Sequence, residues 1–158
     1  MPLLKITLKG PLMSWGDADW STDYRTTSLK PTKSAIIGLI GAVLGLKRGD
    51  EHFERLKNLD YIVKTVEPGS LLNDYHTVTK PKKALDFALY GYADPAKSYI
   101  THRYYLQDAE FEVYVAGNND WDDNLILRIV NAFKHPVFQP YLGRKSCPPA
   151  GPIEAELL

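Results

Sequence analysis

The twelve-residue segment from Ala35 to Leu46 constrains the fold most strongly, because every one of its side chains is apolar or absent. A membrane-spanning helix needs about 20 apolar residues, so this shorter segment is expected to be a helix buried inside a folded domain. Thr32 or Ser34 can cap its N-terminus, and Gly45 or Gly49 can end it.

Small residues recur along one side of this helix, at Ser34, Gly38, Gly41 and Gly45. Each glycine costs a helix roughly 0.5–1 kcal/mol relative to alanine, so three of them need a compensating contact. A stripe without side chains lets another backbone approach closely. We expect the stripe to pack against a sheet, with approach of a ligand or partner as the alternative.

Hydrophobic periodicity predicts the remaining elements. Residues 12–30 are expected to form a long loop, and residues 70–101 are expected to be irregular. The order is strand, helix, strand, long insertion, strand, helix, loop and strand. This βαββαβ pattern predicts an α+β, ferredoxin-like fold, in which both helices cover one face of an antiparallel sheet. RNA-recognition (RRM) domains share that fold. The predicted strands cover 3–9, 61–66, 102–116 and 153–158, and the second helix covers 121–135.

Charge is balanced overall but segregated along the chain. The 158 residues suit a single domain, 1–158, and their 19 basic and 19 acidic side chains argue against a generic polyanion binder. Segments 24–48, 75–85 and 124–149 nevertheless contain basic residues and no acid, whereas 108–123 contains acids and no base. Three basic segments, each interrupted by glycine or proline, favour a local site for a polyanion.

The cysteine and histidine content argues against a metal site or a disulfide. One cysteine cannot form an internal disulfide, and the four histidines show no metal-binding spacing. The N-terminus also lacks the pattern of a signal peptide. We therefore expect a cytoplasmic protein that contains no metal or other cofactor and does not contact a membrane.

The segment 142–149 is the most informative local motif. Gly143 permits close backbone approach, Arg144 offers a planar fork for phosphate, and Lys145 adds a point charge. Ser146 supplies a hydroxyl group. Lys33 and the free N–H groups at the start of the first helix also favour a phosphate. These residues predict an anion-binding loop.

A metal-free ribonuclease is the enzymatic alternative. Such an enzyme needs a base near a 2′-hydroxyl group and a cation for the developing charge. His76 or His102 can supply the base, and Tyr75 and Lys80 can assist. Because these residue types are scattered, a non-catalytic role is preferred.

Five motifs, taken together and in order along the chain, resemble the Cas5 family (RAMP superfamily) of subunits of the type I-E CRISPR surveillance complex Cascade. Family members usually continue past the last motif, so the resemblance implies a form that is short at its C-terminus. The motifs are Gly10-Pro-Leu-Met-Ser-Trp-Gly16, Pro31-Thr-Lys-Ser-Ala-Ile-Ile-Gly-Leu-Ile-Gly-Ala-Val-Leu-Gly45, Asp74-Tyr-His-Thr-Val78, Arg103-Tyr-Tyr-Leu-Gln-Asp-Ala-Glu-Phe111 and Pro140-Tyr-Leu-Gly-Arg-Lys-Ser-Cys-Pro148.

The resemblance implies a non-catalytic antiviral subunit that binds and caps the 5′ handle of the CRISPR RNA (crRNA). It implies CasC-type backbone subunits and the CasA-type large subunit as neighbours, and target DNA as an indirect partner. It also implies a β-hairpin thumb at about 74–101 and a glycine-containing RNA-binding loop at 142–149. Some relatives cut precursor RNA, which keeps the ribonuclease alternative open.

The residues expected to contact RNA combine the motif positions with the basic loop. Bases are expected to stack on Trp15 or on a tyrosine. The full set is Ser14, Trp15, Gly16, Lys33, Ser34, Tyr75, His76, Lys80, Gly143, Arg144, Lys145 and Ser146.

Overall fold

The computed structural model describes residues 3–16, 23–79, 98–116 and 123–158 of the chain. Within these ranges no helix is long and apolar enough to span a membrane. The elements in chain order are β1 (Leu3–Lys9), β2 (Leu12–Met13), β3 (Tyr24–Arg25), α1 (Lys33–Leu44), α2 (His52–Lys57), β4 (Asp60–Glu67), β5 (Ser70–Thr79), β6 (Ser98–Gln107), β7 (Glu110–Ala116), α3 (Asp123–Lys134) and β8 (Ala155–Leu157).

The core sheet has the strand order that the βαββαβ pattern predicts. Its order is β4-β7-β1-β8, and each neighbouring pair is antiparallel. Strand β1 alternates along its length, so that Leu4, Ile6 and Leu8 are fully buried while Lys5 and Thr7 face the other side. Apolar side chains of α1 and α3 belong to the same core cluster. The ferredoxin-like prediction is therefore confirmed.

The apolar segment forms α1, with the caps that its sequence allows. The Thr32 hydroxyl group accepts a hydrogen bond from the Ala35 N–H at 3.3 Å, and Gly45 ends the helix with φ 77°. The small-residue stripe does not pack on a sheet, contrary to expectation. A Cβ on Gly41 would lie 2.5 Å from Phe53 of α2, and one on Gly45 would lie 2.7 Å from Val137, whereas Gly38 faces open space.

The insertion between β4 and β7 is regular where it is described. Strands β5 and β6 pair in an antiparallel ladder from Ser70↔Gln107 to Thr79↔Ser98. The expectation of irregular structure was therefore wrong for residues 70–79 and 98–101. We call these two strands the β5–β6 arm. Residues 80–97 lie outside the described ranges. Short strands β2 and β3 also pair with β6. Two short parts of the predicted loop 12–30 are therefore strands.

Two adjacent corners join the β5–β6 arm to the core sheet. Gly69, between β4 and β5, has φ 67°, and Asp108, between β6 and β7, has φ 53°. A Cβ on Gly69 would overlap the carbonyl oxygen of Gln107 and approach the N atom of Ala109. The two corners are therefore in direct contact, and glycine is required in the first of them.

The face of the core sheet opposite the helices carries a ladder of ion pairs across its four strands. Lys5 lies 3.4 Å from Glu112 and 3.1 Å from Glu156, and Lys64 lies 2.8 Å from Glu112. The Tyr114 hydroxyl group also donates to Glu112. Hydrogen bonds from Lys64 and Tyr114 lower the pKa of Glu112 to about 2. The charges on this face largely neutralise one another.

Candidate nucleic-acid interface

A tight loop after α3 packs against the chain that leaves β2. The Ser14 N–H donates to the Leu142 carbonyl group at 3.0 Å. Within the loop, the Leu142 N–H donates to the Cys147 carbonyl group, and the Cys147 N–H donates to the Arg144 carbonyl group. Gly143 has φ 96°, and a Cβ there would overlap the carbonyl oxygen of Ser14. Only glycine allows these two backbones to meet in this way.

This contact forms one wall of a groove with a volume of about 420 Å³. The start of α1 forms the opposite wall, where Gly38 leaves room beside the helix. Three segments that are far apart in sequence thus meet at one surface. Five of the residues predicted to bind RNA line the groove, namely Ser14, Gly16, Ser34, Gly143 and Arg144.

Arg144 has no acidic partner among the described residues. Its Nη2 donates to the Arg25 carbonyl oxygen at 3.1 Å, and its Cζ lies 5.0 Å from the centroid of the Tyr105 ring. Its Nη1 is buried and has no hydrogen-bond partner. The guanidinium group is held in place by protein, yet its charge is not neutralised.

Trp15 belongs to the core rather than to the groove surface. The residue is 1% exposed, and its backbone N–H donates to the Thr27 hydroxyl group at 2.8 Å. A buried indole ring cannot stack on an RNA base, so the expectation for Trp15 was wrong. Its neighbour Ser14 is also buried, and the Ser14 hydroxyl group donates to the Tyr104 carbonyl oxygen at 3.3 Å.

The lysines predicted to bind phosphate occupy different positions. Lys33 lies outside the groove lining, and its Nζ is 5.3 Å from the centroid of the Tyr61 ring. Lys145 and Ser146 are exposed on the loop that carries Arg144. Lys80 lies outside the described residues. The geometry therefore gives Arg144 a more central position in the groove than either described lysine has.

Cys147 is a packing residue of the loop. It is fully buried, and burial raises the pKa of its thiol. Both observations argue against a nucleophilic thiolate at Cys147. Within the described ranges, no cluster of three or more potential metal-ligating side chains is present.

A row of aromatic rings lies across β3, β6 and β5. The rings of Tyr24 and His102 are stacked at 4.8 Å, and Tyr75 contacts His102 edge-on at 5.4 Å. Tyr75 is 59% exposed. Adjacent residues of a strand point to opposite faces, so His76 lies on the other face. The described residues of the ribonuclease alternative are thus divided between two faces, with Tyr75 and His102 on one and His76 on the other.

Sequence reasoning missed two arginines on the opposite face of the arm from this aromatic row. Arg25 and Arg103 pair in register on β3 and β6. Tyr105, two residues after Arg103, shares that face and contacts Arg144. The alternation of Arg103 and Tyr105 along one strand was visible in the sequence. The sequence did not show that Arg144 packs on the same face of that strand.

Comparisons with known proteins agree with the fold. The family model described as CRISPR-associated protein (Cas_Cas5) matches residues 3–158. The CRISPR system Cascade subunit CasD of Escherichia coli (strain K12) is 31% identical over 160 residues, which cover 95% of this chain and 68% of the relative.

Two solved structures are similar to the chain. A chain described as part of a CRISPR RNA-guided surveillance complex has a TM-score of 0.79 at 33% identity, with 96% of this chain and 61% of that chain covered. A crystal structure of a Cas protein has a TM-score of 0.68 at 31% identity, with 96% and 62% covered. The chain therefore spans about two thirds of the length of its curated relative and somewhat less of the solved chains.

Proposed function

The chain belongs to the Cas5 family of CRISPR-associated proteins, and from this premise we propose that it is a non-catalytic, RNA-binding subunit of a type I-E Cascade complex. In this role it binds and caps the 5′ handle of the crRNA. Its neighbours are CasC-type backbone subunits and the CasA-type large subunit, and it serves target DNA recognition indirectly.

The observation that carries this proposal is the position of Arg144 in the groove. Its guanidinium group is oriented by the Arg25 carbonyl group and the Tyr105 ring, and it has no acidic partner within the described ranges. A fixed, unneutralised guanidinium group suits a phosphate, because its planar fork matches two phosphate oxygens.

The groove surroundings support the path of a nucleic-acid backbone. Gly16 and Gly38 leave space for close approach, and the Ser34 hydroxyl group lies at the start of α1. Lys145 extends the positive charge along the exposed part of the loop. The self-neutralised face of the core sheet offers less attraction to phosphate, so the groove is the favoured RNA surface.

The test measures binding of the full chain to a single-stranded RNA with the repeat-derived sequence of the crRNA 5′ end. Replacing both Arg144 and Lys145 with glutamine should weaken binding and reduce its dependence on salt. The matched control is the double variant Lys47→Gln and Arg48→Gln, which removes two exposed basic residues that are likewise consecutive in the sequence. Equal affinities for the two double variants would contradict the assigned groove.

The ribonuclease alternative has its own measurement. The full chain is incubated with repeat RNA in the presence of EDTA, and the products are resolved on a gel. Intact RNA agrees with the non-catalytic role. Specific cleavage that is lost in the His76→Ala or the His102→Ala variant would replace that role with processing of precursor RNA.

A further inference from the structure

One side of the core sheet ends in a long strand with an unprotected edge. Within the described ranges β4 pairs with β7 alone, whereas β8, the strand at the other edge, has three residues. Soluble proteins usually protect an edge strand with proline, lysine or a bulge. Strand β4 contains no proline, its Lys64 side chain is engaged by Glu112, and its bulge lies beyond Thr65. Residues 60–64 therefore form an open edge in the described part of the chain.

The hydrogen bonds of the sheet show which backbone groups of β4 point outward. On β1, the Thr7 N–H donates towards the β8 side, to Glu154. In an antiparallel sheet the backbone groups of successive residues point to opposite sides of the strand. Carrying this alternation through the registers of β7 and β4 directs the backbone groups of Ile62 towards β7. Those of Tyr61 and Val63 therefore point to the free edge.

The side chains of this edge are arranged in a complementary way about Ile62. Ile62 is 65% exposed, and Asp60 and Lys64 flank it on the same face. Asp60 is exposed and makes no ion pair with any described residue. On the helix face, Tyr61 and Val63 are only partly buried. The edge thus has an apolar centre with an acid on one side and a base on the other.

A second copy of the chain matches this edge in one antiparallel register. When Ile62 lies opposite the same residue of the second copy, Asp60 of each copy lies opposite Lys64 of the other. In the same register Tyr61 of each copy lies opposite Val63 of the other. Opposite charges, and an aromatic ring beside a β-branched side chain, are cross-strand pairs that stabilise a sheet. Every pair in this register is therefore favourable.

Other registers and the other long edge fit less well. A two-fold axis at Val63 would place Ile62 opposite Lys64 and leave Asp60 without a base, and an axis at Lys64 would oppose two lysines. Strand β5 also has an open edge among the described residues. It carries Asp74 but no lysine or arginine to oppose it, so it lacks the self-complementary charges of β4.

We propose that the chain, when free of other subunits, forms a two-fold dimer through β4 with Ile62 on the axis. The two core sheets then join into one, through about four backbone hydrogen bonds from Tyr61 and Val63 of the two copies. Contact between two edge strands is small for a protein interface, so the dimer is weak and forms at high protein concentration. This proposal does not depend on RNA binding.

Cysteine cross-linking of the full chain tests the register. The single cysteine, Cys147, is buried, so Ile62→Cys adds the one accessible thiol. Opposed residues at the axis have Cα atoms about 4.5 Å apart, which a disulfide accepts. With oxidised glutathione, Ile62→Cys should give a disulfide-linked dimer. The control is Val66→Cys, also exposed on β4, because its two copies would lie about eight residues, or roughly 26 Å, apart.

Sedimentation velocity over a range of protein concentrations tests the charged pairs. Asp60→Lys and Lys64→Glu should each weaken self-association about 10-fold, because two attractive pairs become repulsive. An equimolar mixture of these two variants should associate as the wild type does, because every opposed pair is attractive again. Glu154→Lys is the control, since it makes the same charge change at an exposed position near the other edge. Circular dichroism checks that each variant is folded.

The results that would overturn the dimer are specific. They are a wild-type chain that stays monomeric at every concentration, equal association of Asp60→Lys and Glu154→Lys, or cross-linking of Val66→Cys as efficient as that of Ile62→Cys. If the wild type is monomeric and its Tyr61 and Val63 amides gain protection from hydrogen exchange only when a purified second Cascade subunit is added, the edge belongs to that subunit instead.

Discussion

Gly143 packs its backbone directly against the carbonyl group of Ser14, and no other residue type fits at that contact. The hydrogen bond from the Ser14 N–H to the Leu142 carbonyl group holds the same two segments together. Because Arg144 follows Gly143 directly, this contact determines where the guanidinium group enters the groove. The glycine of the basic loop therefore positions Arg144 through backbone packing.

Replacing Gly143 with alanine should destabilise the fold and weaken RNA binding. A residue with a side chain at such a φ costs about 1–3 kcal/mol, and the overlap with Ser14 adds to this cost because the loop must move. Thermal unfolding and RNA affinity should both fall. Gly151→Ala is the control, since a Cβ there meets nothing within 4 Å. Wild-type stability of the Gly143→Ala variant would contradict the contact.

Gly38 should tolerate a side chain in the folded state but not in the RNA-bound state. Its Gly38→Ala variant should be stabilised by about 1 kcal/mol, because alanine is the better helix former and the site is open. The Gly38→Glu variant should fold normally and bind RNA more weakly, because it adds negative charge to the groove. Chemical denaturation and RNA titration measure the two effects.

Gly41 provides the comparison within the same helix. A Cβ added at Gly41 would lie 2.5 Å from the Phe53 ring, so the Gly41→Ala variant must displace that ring. It should therefore gain less stability than Gly38→Ala, or lose stability. If both variants gained equally, the assignment of open and closed sides of α1 would be wrong.

Glu112 should make stability depend on pH in the acid range. Its pKa falls from an ordinary 4.5 to about 2 in the folded chain, chiefly through the hydrogen bond from Lys64. Because folding lowers this pKa, the ionised Glu112 side chain stabilises the folded chain. This stabilisation is complete above about pH 4.5 and is lost as the pH falls towards 2. The wild type should therefore melt at a higher temperature than Glu112→Gln near neutral pH, and this difference should shrink as the pH is lowered. Glu51→Gln, at an exposed position, should show no such convergence.

Trp15 should behave as a core residue. Trp15→Ala should lower the free energy of unfolding by about 3–5 kcal/mol, the usual cost of removing a large buried aromatic side chain. Tyr75→Ala, at an exposed position of the arm, should cost about 1 kcal/mol or less. Urea denaturation distinguishes the two. A stable Trp15→Ala variant with weakened RNA binding would restore the stacking role.

The core was predictable because its elements bury one face each. Strand β1 alternates between buried and partly exposed residues, and α1 carries both of its caps in the sequence. The hydrophobic pattern alone missed strand β5 for the opposite reason, although the family resemblance implied a β-hairpin there. It extends beyond the core, so that neither of its faces needs a continuous apolar pattern, and residues such as Asn73 and Asp74 occupy it without a recognisable period.

The candidate site was predictable in part. Its glycines and Arg144 belong to motifs with unusual composition, whereas the pairing of Arg103 with Arg25 depends on a strand register that a single sequence does not contain. Trp15 shows the complementary limit. The local sequence around a tryptophan in a polar loop does not indicate whether its ring is buried or exposed. The three-dimensional packing around Trp15 shows that its ring is buried.

The touching corners at Gly69 and Asp108 have a mechanical consequence. The β5–β6 arm is joined to β4 and β7, which are themselves hydrogen-bonded to each other along their length. A force applied to the arm is therefore transmitted to the edge strand β4 and its neighbour β7 in the core sheet. Because the two corners also contact each other directly, a rotation of the arm at its base must displace Gly69 against Gln107 and Ala109.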